Sequence, residues 1–135
     1  ELEEYASHLN GRTLASGFSN RELSIAYKKA LAVVIPSKIE GFGLPVVEAL
    51  YSKAKVLVAD SRGLLEAGAN ACLRFGANKP DELARLLTFC RDPICEKYFE
   101  PVFERRRKER LSLLNSDLLG LCLLAKARRL LTRDI

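Results

Sequence analysis

Residues 31–48 place the tightest limit on the folds open to this chain. An aliphatic run, Leu-Ala-Val-Val-Ile-Pro, passes into Ser-Lys-Ile-Glu-Gly-Phe-Gly-Leu-Pro and then Val-Val-Glu. Near-continuous aliphatic side chains over 31–35 read as a strand buried on both faces, as parallel sheets require. In the loop that follows, Gly41 and Gly43 have no Cβ to hold a ligand away from the backbone. Pro45 suits the first position of a helix, where its missing N–H costs nothing. The free N–H groups and positive dipole end of that helix then face an anion such as phosphate. A buried strand, a glycine loop and a helix in that order call for layered α/β structure.

The rest of the chain alternates in the same way. Residues 14–18 read as a strand, and Ser19 with Glu22 three residues on forms a capping box that opens a helix to about residue 30. The helix after the glycine loop is expected over 45–52. Strands follow at 55–59 and 71–75, with a short segment 64–67 between them. Pro80 opens a helix to about residue 91, with Leu83, Leu86, Leu87 and Cys90 on one face. Residues 96–114 read as helical, with Pro101 kinking or splitting the helix, and 117–131 as a last helix with a broad leucine face. The fold class expected is α/β: a Rossmann-like parallel sheet with helices on both faces, followed by C-terminal helices. At 135 residues the chain can bury one core.

Glu40 and Glu48 flank the glycine loop, and two carboxylates beside a phosphate site need partners other than the phosphate. An ionised carboxylate only accepts hydrogen bonds, and its two oxygens suit the vicinal hydroxyls of a sugar. A ligand with sugar, phosphates and sugar in series matches this layout, which describes a nucleotide-sugar. Taken alone, Glu48 reads as an ordinary acid favoured by the helix dipole, and Ser37 and Glu66 fit capping or turn roles as well as ligand contact.

These residues resemble the E-x7-E signature of the group 1 glycosyltransferases, the family 4 retaining enzymes of the GT-B fold, with Glu40 and Glu48 bracketing EGFGLPVVEA. The likeness extends over roughly residues 12–93, including Gly17-Phe18-Ser19-Asn20-Arg21-Glu22-Leu23, Ala26-Tyr27-Lys28-Lys29-Ala30, Gly63-Leu64-Leu65-Glu66 and Pro80-Asp81-Glu82-Leu83-Ala84. It departs from the family where Lys53 replaces a small turn residue, often glycine, where Lys55 replaces proline, and where Leu65 replaces the proline usual before Glu66. The resemblance implies that 1–92 is part of a nucleotide-sugar donor-binding domain, with 93–135 a helical segment packing on it. It also implies an N-terminal acceptor domain and a Lys/Arg pair gripping the diphosphate, neither of which can be located in this sequence. By the same resemblance Glu40 is catalytic, holding the transferred sugar near its anomeric carbon. The amides of Phe42, Gly43 and Leu44 meet the distal phosphate, with Gly41 part of the same donor-binding loop, Glu48 takes the ribose diol, and Gly17 and Phe18 border the base. Transfer proceeds with retention and without metal or other cofactor. Alternatives are a catalytically incomplete nucleotide-sugar-binding module or partner subunit, or another GT-B enzyme such as a sugar phosphorylase or epimerase.

Charge is uneven. Residues 1–99 carry 13 Lys/Arg against 12 Asp/Glu, and residues 100–135 carry 9 against 5. Arg105, Arg106, Arg107, Lys108 and Arg110 read either as a patch, within 104–110, for the anionic inner face of a membrane or as a solvated helical face interleaved with Glu104 and Glu109. No aromatic platform accompanies the charge, so nucleic acid is not an expected partner. Cys72, Cys90, Cys95 and Cys122 lack CxxC spacing and read as reduced thiols, and His8 reads as a surface residue. The chain contains no Met, as expected of a piece of a longer protein, and no apolar run approaches the roughly 18 residues of a membrane span. The location expected is therefore cytoplasmic.

Overall fold

The computed structural model describes residues 17–39 and 41–116. Three strands, β1 (Val33–Ile35), β2 (Val56–Ala59) and β3 (Leu73–Phe75), form one parallel sheet in the order β1-β2-β3. Val34 pairs with Leu57, and Val58 with Arg74. Around the sheet run α1 (Asn20–Lys29), α2 (Leu44–Tyr51), α3 (Arg62–Gly68), a 3₁₀ turn (Ala69–Ala71), α4 (Pro80–Arg91), a π turn (Cys95–Phe99) and α5 (Glu100–Ser116). The arrangement is a Rossmann-like α/β layer structure, as the alternation in the sequence implies.

Burial corrects one expectation. Among the described residues β1 pairs with β2 alone, and Val33 and Val34 are only half-buried, with Leu31 outside the strand and 46% exposed. The strand covered on both faces is β2, whose four residues are all buried. Sheet order decides this: the middle strand has neighbours on both sides as well as above and below. The core around it comprises Val46, Val47, Ala49 and Leu50 of α2, Leu64 and Ala67 of α3, and Phe75.

Local chemistry sets the helix ends. The Ser19 capping box forms: its hydroxyl accepts the Glu22 N–H at 3.3 Å, and Glu22 Oε2 accepts the Ser19 N–H at 2.8 Å. The Ser19 amide, then its hydroxyl, hold the Glu22 carboxyl below the usual range. Residues 17 and 18 are not strand, and 14–16 lie outside the described residues. Pro45 is the second rather than the first residue of α2, an equally tolerant site. The segment 64–67 is the middle of α3, and α4 occupies 80–91, with Leu83, Leu86, Leu87 and Cys90 packed on the core.

The helical path runs unbroken through residues 93–116 past Pro101, whose missing N–H coincides with a change of helix type rather than a split. A π turn precedes it, the Glu100 N–H reaching back to Cys95 O, and α5 begins at Glu100. Phe103, Arg107 and Leu114 are buried on one side of α5, which packs on α2 and the 3₁₀ turn. The helix expected over 117–131 and Cys122 lie outside the described residues, whereas Cys72, Cys90 and Cys95 are free and buried.

The C-terminus of α2 carries a built-in strain. The Ala54 N–H bonds to Ala49 O and the Lys53 N–H to Leu50 O, each at 3.0 Å, a pairing that requires a left-handed residue just past the helix. That residue is Lys53, at φ 64°, the same position at which the sequence departs from a glycine. Left-handed backbone costs a side-chain-bearing residue about 1–2 kcal/mol, partly offset by the greater entropy glycine loses on folding. Lys53→Gly is therefore expected to stabilise the fold by about 1 kcal/mol, read as a higher denaturant midpoint with an unchanged slope.

Candidate functional site

Parallel strands point their carboxyl ends to one edge, and here Ile35, Ala59 and Phe75 hand over to the loops 36–43, 60–61 and 76–79. Two of these loops are tied together. Asp60 donates its N–H to Phe75 O at 3.0 Å, and its Oδ1 accepts the Ala77 N–H at 2.8 Å. Glu82 Oε2 accepts the Gly76 N–H at 2.8 Å and Oε1 accepts Lys79 Nζ at 3.0 Å, which together hold the Glu82 carboxyl below its usual range. The edge is thus braced beside the loop 36–43.

Gly41 and Gly43, equivalent in the sequence, differ in the structure. Gly43 is buried, caps α2 at φ 72° and ψ 49°, and a Cβ there would stand 3.1 Å from Ala67 Cβ and 3.3 Å from Leu64 Cδ2. The fold itself demands glycine at this position. Gly41 is exposed, and among the described residues an added Cβ would meet nothing within 4 Å. Between them Phe42 packs against the core. Gly43 O accepts the N–H groups of Val46 at 2.9 Å and Val47 at 3.4 Å; among the described residues the amides of Phe42, Gly43 and Leu44 have no carbonyl partner.

Glu48 lies one turn into α2 and is 5% exposed, between fully buried Val47 and Ala49. It stands in the first turns of α2, as the sequence spacing from Pro45 implies, and is more enclosed than a surface acid. The Tyr27 hydroxyl of α1 donates to Glu48 Oε2 at 3.4 Å. Burial foremost, then the Glu48 charge and this hydrogen bond, push the Tyr27 phenol up to about 12. Tyr27 was legible only indirectly. It falls three residues after Ser24, the buried residue of α1, and so lies on the same inward side of the helix.

Gly17, at φ 86°, and Phe18, 48% exposed, precede the Ser19 cap. Glu40 lies outside the described residues, as does His8. The structure therefore brings the 41–44 backbone and Glu48 together on one element and adds Tyr27 to them. Among the described residues no cluster of His, Cys, Asp or Glu has the make-up of a metal site.

Of the basic run on α5, Arg107 and Arg110 are taken up by the fold, while the side chains of Arg105 and Lys108 stay exposed. Arg107 is buried and pairs with Glu104, and Lys108 Nζ also reaches Glu104 at 3.3 Å. Arg110 donates from Nε to Ala67 O at 2.9 Å and from Nη2 to Glu66 O, capping the end of α3. Arg105 faces Glu109 at 3.9 Å. No helix among the described residues is long and apolar enough to cross a membrane.

Residues 1–91, about two thirds of the chain, match the family model for glycosyl transferases group 1. The chain belongs to that family. The O-antigen chain mannosyltransferase RfbU of Salmonella typhimurium (strain LT2) is 52% identical to the chain over 42 residues, or 31% of this chain. The match covers 12% of that relative's length. No solved structure shows significant similarity to the chain. Within the matched region, residues 41–48 cover the described turn into α2, and Glu48 is buried there.

Proposed function

We propose that the chain is the donor-binding part of a retaining glycosyltransferase that moves a sugar from a nucleoside-diphosphate sugar to an acceptor. The observation that carries this reading is the turn 41–44: it lies at the carboxyl edge of a parallel sheet, presents the amides of Phe42, Gly43 and Leu44, and has Glu48 buried one turn behind. Ligands of open α/β sheets bind at that edge. The open space around Gly41 adds weight, because none of the described residues makes use of its missing Cβ whereas an approaching phosphate would.

On this reading the amides bind the distal phosphate and stabilise the charge it gains as it leaves, a preorganised donor set requiring no reorganisation during the reaction. Glu48 accepts the ribose hydroxyls. Glu40, the first glutamate of the signature, holds hydroxyls of the transferred sugar so that its anomeric carbon faces the acceptor. Gly17 and Phe18 border the base. The acceptor binds on a separate N-terminal domain of the full-length protein, and further basic groups on the diphosphate come from outside this chain. Residues 1–92 supply the donor site, with 93–135 packed on them.

Titration calorimetry on the full-length protein with uridine, guanosine and adenosine diphosphates tests the assignment. Wild type is expected to bind at least one of them, Glu48→Ala to bind it about 10- to 100-fold more weakly, the loss of a charge-assisted hydrogen-bond pair at about 1.5–3 kcal/mol. Glu40→Ala should retain nucleotide affinity and lose sugar transfer. No affinity for any nucleotide in wild type would exclude the donor site, and unchanged transfer by Glu40→Ala would remove Glu40 from it.

A further inference from the structure

Glu48 is a buried acid, 5% exposed, so the direction in which its carboxylate points decides which hydroxyls it can accept from. Its helix neighbours Val47, Ala49 and Leu50 are at most 1% exposed. On the facing helix α1, Tyr27 is half-buried, and its hydroxyl donates to Glu48 Oε2 at 3.4 Å, across 21 residues of sequence. A tyrosine ring has two rotatable bonds, and this one packs against the core, so its hydroxyl is fixed in position by apolar contact.

We propose that Tyr27 is a positioning residue for nucleotide binding: its phenol holds the Glu48 carboxylate in the orientation that accepts the ribose diol of the donor. The inference rests on the donor-site reading above and extends it to a residue on a different helix. The phenol remains protonated, and so remains a donor, well above neutral pH, since burial and the adjacent carboxylate push it up to about 12. Orientation matters here because a carboxylate binds a vicinal diol through two oxygens at once, and a rotation that loses one of them forfeits the pair. The same hydroxyl lowers the cost of keeping a carboxylate in low dielectric.

The experiment uses the full-length protein and the tightest-binding of uridine, guanosine and adenosine diphosphate, alongside its 2′,3′-dideoxy analogue. Tyr27→Phe keeps the ring and removes the donor. It is expected to weaken the ribonucleotide about tenfold, the equivalent of ~1.4 kcal/mol, and to leave the dideoxy analogue unchanged. In a Glu48→Gln background Tyr27→Phe should add less than about twofold, because the role runs through Glu48. Equal weakening of both nucleotides would reduce Tyr27 to a packing residue, and a Tyr27→Phe protein that binds like wild type would overturn the proposal while leaving the donor site standing. A wild type with no nucleotide affinity would instead overturn the donor site and the role of Tyr27 with it.

Discussion

Gly43→Val is expected to lower the melting temperature by about 10 °C or more, whereas Gly41→Val, two residues away, should leave it within about 2 °C and weaken nucleoside diphosphate binding at least tenfold. The first change places a β-branched residue at φ 72°, which costs roughly 1–2 kcal/mol in backbone strain. It also drives a Cβ to 3.1 Å from Ala67 Cβ, and overpacking of that kind adds about 1–3 kcal/mol. Ala67 sits in α3, itself held by Arg110 from α5, so the crowding cannot be relieved by one side chain turning away. Against a typical total of 5–15 kcal/mol, this is a large share of the stability. Gly41 has, among the described residues, nothing within 4 Å of the added Cβ, so folding loses at most about 0.5 kcal/mol. The isopropyl group then stands where the phosphate is proposed to approach. Thermal denaturation followed by circular dichroism reads the first effect, and calorimetric titration the second. A Gly41→Val protein that binds nucleotide like wild type would move the ligand off this turn.

The contrast between these glycines shows what a sequence does and does not disclose. Residues 41–45 announce a turn into a helix because glycine and proline have few other uses at such spacing, and the Ser19/Glu22 box announces the start of α1 because both partners lie within one turn. Features of this kind are local, and the structure reproduces α4 over 80–91 for the same reason. Which glycine the fold consumes is decided by α3, more than twenty residues downstream. The Tyr27–Glu48 contact is likewise nonlocal, and so is the committed state of Arg110, whose partners are carbonyls of Glu66 and Ala67. In the run of five cations, docking of the helix takes up Arg107 and Arg110 and leaves Arg105 and Lys108 exposed. Glu40, which the signature singles out as strongly as Glu48, lies outside the described residues, so its proposed role rests on the motif alone.

Sheet order is the remaining nonlocal quantity, and it can be measured. The aliphatic runs 31–35 and 55–59 look alike in sequence, and the first looks the more buried of the two. In the sheet their positions are reversed: Leu57 is fully buried in the middle strand and paired on both sides, while Leu31 is 46% exposed and precedes a strand that, among the described residues, is paired on one side. Leu57→Ala removes buried methyl groups from between two layers that are already filled. Because β2 is fixed by hydrogen bonds to β1 and β3, the site has little freedom to collapse onto the space. The cost expected is therefore toward the upper end of the usual 2–5 kcal/mol, enough to unfold a marginal domain at ordinary temperatures. Leu31→Ala, by contrast, gives up contacts that water already shares and should cost less than about 1 kcal/mol. Urea denaturation of the two variants separates the alternatives cleanly. Equal losses would mean that β1 is as enclosed as β2, with a further strand or layer beside it, and the order β1-β2-β3 would then have to be extended past β1.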